Sequence, residues 1–167
     1  MRPMSKESET LSRMRGIMQQ WGDTERWCAE IHSEIEFWNA QIRILYDPKC
    51  TQTITGMPGS GKISDNTATT AIRDMEAEAE YRSQINFAKA RRAKRMRLKE
   101  LIDELVDDLS PMQSDAIKFR YKTNDTYPYG MHWCEVAVAM TCDERQAKRF
   151  EARALLKLSS FVLYYLG

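Results

Sequence analysis

One short segment, residues 143–153, is rich in cationic and amide side chains. Arg145, Gln146 and Arg149 follow one another there within a single helical turn and a half. Arginine and glutamine can each form paired hydrogen bonds with the edges of guanine and adenine in the major groove, which admits one α-helix. If these side chains share the exposed face of a helix, their chemistry predicts contact with double-stranded DNA.

A pair of helical patterns would position these side chains. Residues 133–140 form the first pattern, Thr141 and Cys142 form a polar turn, and the second pattern runs from Asp143 to Leu158. Small residues at Ala137 and Ala147 let two helices approach closely. We therefore expect a helix-turn-helix in which the following residues face one another: Val136, Ala137, Met140, Ala147, Phe150 and Leu155.

The amino-terminal part shows helical periodicity over much longer stretches. Apolar residues recur every three or four positions from Leu11 to Leu45, and the pattern slips at Gly22-Asp23-Thr24. This predicts two helices, or one kinked helix, ending before Asp47-Pro48. A second long helix is predicted from about Thr67 to Leu109, after a loop at residues 49–63. Because almost no alternating pattern occurs, the chain is predicted to be all-α.

Two arrangements fit the long helices, an antiparallel coiled-coil hairpin within one chain and a dimeric coiled coil. The predicted domains are a coiled-coil region at residues 1–109, with a glycine-rich loop near 47–66, and a helix-turn-helix domain at residues 110–167. The tail at residues 155–166 is more apolar than an exposed helix end requires. It is expected either to dock on the coiled coil or to form a contact in a homodimer.

A helix start is well marked at the predicted domain boundary. Ser110 is a good cap, Pro111 suits the first helical position, and Gln113 has the spacing of a capping box. The helix is expected to bury Ile117, Phe119 or Tyr121 and to stop near Lys122. Residues 123–130 contain proline and glycine and are predicted to form a loop.

Residues 56–63 resemble a phosphate-binding loop but depart from it at one decisive position. The loop requires a serine or threonine hydroxyl for Mg²⁺ where this chain has Ile63. No buried parallel strand precedes the segment, as that motif also requires. We interpret residues 56–63 as a glycine-rich turn and expect no ATP or GTP binding.

A basic run occupies residues 89–99, with seven cations and no acid. One interpretation is a solvated helix surface, partly compensated by acids on a neighbouring helix. The other is phosphate contact without choice of sequence. The candidate residues for that contact are Arg91, Arg92, Lys94 and Arg95.

The composition of the chain limits the classes of protein to which it could belong. A formal net charge of +1 argues against a uniformly basic coat, so a nucleic-acid surface must be local. The four cysteines contain no CxxC pair, and neither Cys28 with His32 nor His132 with Cys134 and Cys142 has a recognised zinc spacing. No apolar tract approaches the ~20 residues that span a bilayer. We predict a cytoplasmic protein without a metal, a cofactor, a catalytic site or a membrane anchor.

The carboxy-terminal pattern resembles the fourth conserved region of bacterial sigma factors, which reads the −35 promoter element. The resemblance extends upstream to Leu109-Ser110-Pro111-x-Gln113 and Phe119-Arg120-Tyr121. The order of parts also resembles the RinA-like and ArpU-like late-transcription regulators of bacteriophages. The positions that carry the sigma resemblance are Trp133, Glu135, Val136, Ala137, Met140, Asp143, Glu144, Arg145, Gln146, Ala147, Phe150, Glu151, Arg153, Ala154, Leu155 and Leu158.

The sigma resemblance implies separate roles for the residues of the last helix. Base reading would fall to Glu144, Arg145, Gln146 and Arg149, and phosphate contact to Arg120, Lys148 and Arg153. The implied function is a phage-type transcription regulator that binds promoter DNA, with host RNA polymerase as its protein partner. A different class fits the same order of helices, namely a helical interaction protein of a phage, such as a packaging-initiation subunit or an inhibitor of a host protein.

Overall fold

A computed structural model describes residues 5–46 and 66–166, with only the backbone described at 66–70. Six helices and no strand occur within these ranges, which confirms the all-α prediction. The predicted loop at 49–63 and the phosphate-loop lookalike at 56–63 lie outside the described residues. The helices are α1 (Lys6–Gly22), α2 (Thr24–Tyr46), α3 (Asn66–Asp107), α4 (Pro111–Tyr121), α5 (Trp133–Ala139) and α6 (Glu144–Leu166).

The break between α1 and α2 falls where the periodicity slips. The amide of Asp23 still donates to the carbonyl of Gln19, and a new helix then begins at Thr24. Gly22 lies against the end of α4, where a Cβ atom would come 1.7 Å from the carbonyl oxygen of Tyr121. Its own carbonyl accepts a hydrogen bond from the Thr123 hydroxyl at 2.9 Å. The glycine is therefore required by close approach between backbones.

The chain divides into two compact units, and the division differs from the boundary predicted at residues 109/110. The first unit comprises residues 1–28 and 93–167, and the second comprises residues 29–92. The difference arises because α1 and the end of α3 share one apolar core with α4 and α6. That core contains Met14, Ile17, Met18, Trp21, Ile102, Val106, Ile117, Tyr121, Ala154, Leu155, Leu158 and Val162.

Within the first unit, α6 packs against α1, α4 and α5. Its tail docks on the amino-terminal helices through Leu158 and Val162, which are fully or almost fully buried. This is the first of the two roles predicted for the apolar tail. The opposite side of the tail carries the exposed aromatic residues Phe161 and Tyr164.

In the second unit, α2 and α3 lie side by side and run in opposite directions. Glu34 pairs with Arg91, Trp38 stacks on Tyr81, and the Tyr46 hydroxyl donates to Glu78. Residue numbers rise along α2 as they fall along α3, as an antiparallel hairpin requires. The predicted hairpin pairing is thus present within a single chain.

The capping box predicted at Ser110 is wrong. The Ser110 side chain makes no capping hydrogen bond, although its carbonyl accepts from the amides of Gln113 and Ser114 at 2.9 Å each. Gln113 is buried beside α6, where its side-chain oxygen accepts from Lys157 Nζ at 3.0 Å. The Gln113 side-chain oxygen therefore bonds to Lys157 of α6 and not to the Ser110 amide, as a capping box would require. In the parts of the chain that the structure describes, no helix is both long and apolar enough to cross a membrane.

Candidate nucleic-acid interface

A tight turn joins α5 to α6. The amide of Thr141 donates to the carbonyl of Val138 at 3.1 Å, and the amide of Cys142 donates to the carbonyl of Ala137 at 3.0 Å. Thr141 adopts a φ of 54°, in the left-handed region that β-branched residues rarely occupy. The chain therefore changes direction abruptly between the two helices, at the place where the sequence predicts a turn.

Side-chain caps begin both helices. The Asp143 carboxylate accepts a hydrogen bond from the amide of Gln146 at 2.7 Å, which confirms the predicted start of α6. Glu135 accepts from the amide of His132 at 2.7 Å and so holds the start of α5. These contacts satisfy backbone donors that have no partner inside their helices.

A small apolar cluster fixes α5 against α6. Ala116, Val136, Met140 and Ala147 form its buried centre, and Phe150 is half-buried at its edge. The prediction that Leu155 faces α5 is wrong. Leu155 belongs to the larger core with α1 and α3, because α6 continues beyond α5.

The side of α6 that faces away from this cluster is exposed and mostly cationic. Within the described ranges, no ion pair engages the guanidinium groups of Arg145, Arg149 or Arg153. Among the described residues, all four proposed base-reading positions are exposed. The exposed residues on this surface, here called the α6 face, are Glu144, Arg145, Gln146, Lys148, Arg149 and Arg153.

Two of the predicted phosphate contacts meet at an indole ring. Arg120 and Lys148 place their cationic groups 5.4 and 5.7 Å from the centroid of Trp133, within range of cation–π attraction. Lys148 is also paired with the exposed Glu144 at 3.0 Å. Arg120 is half-buried, and its Nη1 donates to the Met131 carbonyl at 2.8 Å. The structure therefore places Arg120 of α4 and Lys148 of α6 near the same ring.

The basic run of α3 separates into engaged and exposed residues. In the second unit, Arg91 bonds to Glu34 at 2.7 and 2.9 Å, and its guanidinium lies 5.0 Å from the Phe87 ring centroid. Arg92 in that unit is exposed. The Arg91 pair matches the interpretation that acids on a neighbouring helix partly compensate this run.

In the first unit, Arg95 reaches α1 and α2. It donates to the carbonyl of Gln20 and to Thr24 Oγ1, and it lies 4.9 Å from the Trp27 ring centroid. Burial lowers the pKa of Arg95 below its usual value. Lys94 is exposed. Arg91 and Arg95 are thus engaged in contacts within the protein, whereas Arg92 and Lys94 are exposed.

A buried polar network escaped the sequence analysis. Glu151 is fully buried on α6 and accepts hydrogen bonds from Arg15 and from the Tyr121 hydroxyl, the latter at 2.6 Å. Burial, together with the Glu151 charge, raises the pKa of Tyr121 above its usual value. One feature of the sequence could have indicated that Glu151 is buried. It lies in the apolar stripe of α6, four residues from both Ala147 and Leu155.

Comparisons with protein-family models, with curated proteins and with solved structures gave no significant match.

Proposed function

We propose that this protein is a phage-type transcription regulator that binds double-stranded promoter DNA through the α6 face. One observation carries the proposal: Arg145, Gln146 and Arg149 are exposed on a helix that a tight turn presents beside α5. A major groove accepts a single helix, and these are side chains that form paired hydrogen bonds with base edges. The resemblance to sigma region 4 supports promoter DNA as the target.

The distribution of charge supports the same proposal. Four cations and one acid occupy the α6 face, although the chain as a whole has a formal net charge of only +1. A local concentration of this kind attracts the DNA backbone toward one surface of the protein. The proposed division of labour follows: Glu144, Arg145, Gln146 and Arg149 read bases, and Lys148 and Arg153 contact phosphates.

DNA binding is tested with duplexes from promoter regions of the source genome, by fluorescence anisotropy and by footprinting. We expect protection of a defined site and an affinity that falls with rising salt. Arg149→Ala should weaken specific binding by roughly 1–3 kcal/mol. The control is Arg97→Ala, because Arg97 is also an exposed arginine but lies on α3 and is not one of the residues of the α6 face. Equal losses for both variants would contradict the assigned surface.

A second candidate function, a helical interaction protein, is favoured by the surface of the second unit. Large apolar side chains are more than half exposed there, on both α2 and α3, and they are Phe37, Ile44, Tyr46, Ile72, Met75 and Phe87. Where such side chains lie next to one another, an exposed apolar patch is typical of a protein-contact surface. We propose that this surface binds host RNA polymerase, or a second copy of the chain, while the α6 face holds DNA.

The partner is tested with purified RNA polymerase from the host and with sedimentation of the protein alone. Phe37→Ser and Phe87→Ser should abolish polymerase binding and leave DNA affinity unchanged. Phe161→Ser is the control, because Phe161 is similarly exposed but lies on the tail of α6. Partner binding without any DNA binding would favour the interaction protein over the regulator.

A further inference from the structure

A cleft in the first unit lies beside the α6 face. Its volume is about 370 Å³, near the lower end of the ~300–1,000 Å³ that small-molecule pockets span. Residues of α1, α4, α5 and α6 line it, namely Arg15, Gln19, Arg120, Tyr121, Trp133, Lys148 and Glu151. A neighbouring cleft of about 270 Å³ shares Gln19, Arg120 and Tyr121 with it.

The larger cleft carries a net positive charge. Three cations line it against one carboxylate, that of Glu151, and Arg15 already pairs with this carboxylate through Nε and Nη2. Within the described residues, Arg120 has no carboxylate partner, whereas Lys148 pairs with Glu144, which lies outside the lining, at 3.0 Å. The Arg15 side chain is 48% exposed and the Lys148 side chain 49%, so both cations are open to solvent.

Hydrogen-bond donors remain on each cation. Arg15 uses two of its three nitrogens on Glu151, and Arg120 uses Nη1 on the Met131 carbonyl. The remaining guanidinium and ammonium groups suit an acceptor that takes several bonds at once and carries negative charge. A phosphate group has these properties, and arginine forks match its geometry.

We infer that this cleft binds a phosphate group, and that the amino-terminal helix α1 thereby takes part in holding DNA. The DNA source of the phosphate rests on the proposed function. Lys148 belongs to both the α6 face and the cleft, so a duplex on that face would bring its backbone to the cleft entrance. Phosphate contacts of this kind fix the register of a helix in the groove without reading sequence.

The experiment uses two adjacent glutamines of α1. Gln19 lines the cleft, whereas Gln20 is exposed and lies outside it, and neither side chain makes a hydrogen bond within the described residues. Gln19→Glu should reduce DNA affinity about tenfold at low salt, because it places like charge beside the phosphate. Gln19→Lys should steepen the logarithmic salt dependence by about 0.9. Gln20→Glu and Gln20→Lys serve as matched controls and should each have much smaller effects.

The second part of the experiment measures the binding of free phosphate. Inorganic phosphate is titrated into the full chain without DNA, and the indole N–H signal of Trp133 is followed by NMR after assignment through Trp133→Phe. We expect a saturable shift that Gln19→Glu weakens and Gln20→Glu does not. Thermal melts of all four glutamine variants verify that the fold is retained.

The outcomes separate this inference from the proposed function. DNA binding that responds to Gln19 but not to Gln20 supports the inference, with or without a response to free phosphate. If substitutions at neither Gln19 nor Gln20 change the DNA affinity, and phosphate causes no NMR shift, the cleft is not a phosphate site. DNA recognition by α6 is then unaffected. A phosphate shift in a protein that binds no duplex keeps the cleft as a site for free phosphate and overturns the DNA function. Loss of both responses overturns both.

Discussion

Arg15 and Glu151, separated by 136 positions, form a two-point ion pair that joins α1 to α6. The nitrogen–oxygen distances are 2.9 and 3.0 Å, and Glu151 has no exposed surface. A buried carboxylate is costly to hold without a partner, so Arg15 and Tyr121 together make its position on α6 tolerable. The ion pair consequently fixes α6, the helix that carries the proposed DNA-binding side chains, against the amino-terminal helix α1.

The first prediction concerns this pair. Arg15→Ala leaves the Glu151 carboxylate buried with one partner fewer, and we expect the free energy of unfolding to fall by about 2–4 kcal/mol. Urea denaturation measures the change. Adding Glu151→Leu to Arg15→Ala should recover part of the loss, because the unpaired charge is removed as well. Arg13→Ala is the control, since Arg13 is exposed on the same helix. Strictly additive effects of the two substitutions would contradict the coupling.

The second prediction is a pH dependence. The pKa of Tyr121 is raised in the folded protein, chiefly by burial, so the unfolded chain loses its phenol proton first as the pH passes about 10. The stability contributed by the neutral phenol is complete below that pH and is lost as the pH rises toward the folded pKa. The difference in unfolding free energy between wild type and Tyr121→Phe should therefore shrink above about pH 10. Tyr164→Phe, at a residue 88% exposed, should show no such trend.

The third prediction compares two glycines of α1. Gly22→Ala would force a Cβ atom against the Tyr121 carbonyl and should destabilise the fold by more than about 3 kcal/mol. Gly16→Ala meets nothing within 4 Å and should stabilise the protein by about 0.5–1 kcal/mol through helix propensity. Thermal and urea denaturation of both variants give the comparison. Similar effects at the two positions would exclude close approach as the reason for Gly22.

Local signals in the sequence were sufficient for most of the helices. The slip at residues 22–24 predicted the break between α1 and α2, and the Asp143 cap predicted the start of α6. Both depend on residues close together in the chain. The predicted boundary at 109/110 differs from the structure because the shared core brings together residues about 100 positions apart in the chain, such as Met18 and Ile117. Periodicity identifies a buried face but does not identify what covers it.

In the candidate site, too, local features were predictable from the sequence and long-range contacts were not. The exposure of the α6 face follows from the helical period around Ala147 and Phe150, and the sequence was enough to predict it. The role of Arg15 was not predictable, because nothing near it in sequence indicates a carboxylate on α6. Gln113 was misassigned for a related reason, since Lys157 competes with the local cap. Pairings of polar groups across a core depend on the tertiary packing of the helices that carry them.

The fourth prediction concerns the turn between α5 and α6. Thr141 has a φ of 54°, and left-handed backbone costs an L-residue about 1–2 kcal/mol. Thr141→Gly should relieve that cost and, after the added entropy of the unfolded chain, stabilise the protein by about 0.5–1 kcal/mol. Thr126→Gly is the control, because Thr126 lies in the exposed loop without a positive φ, and it should be neutral or destabilising. A loss of stability at Thr141 would show that its side chain has another role.

The last prediction separates base reading from phosphate contact on the α6 face. Arg145 is exposed and free of ion pairs within the described ranges, so Arg145→Ala should cost roughly 1–3 kcal/mol on the cognate duplex and much less on scrambled duplexes. Lys148 lies in the cleft beside Arg120, so Lys148→Ala should weaken binding to all duplexes alike and reduce the salt slope by about 1. Anisotropy titrations on cognate and scrambled duplexes at two salt concentrations measure both effects. If Arg145→Ala weakened every duplex equally, Arg145 would be a phosphate contact, and sequence choice would have to come from Glu144, Gln146 or Arg149.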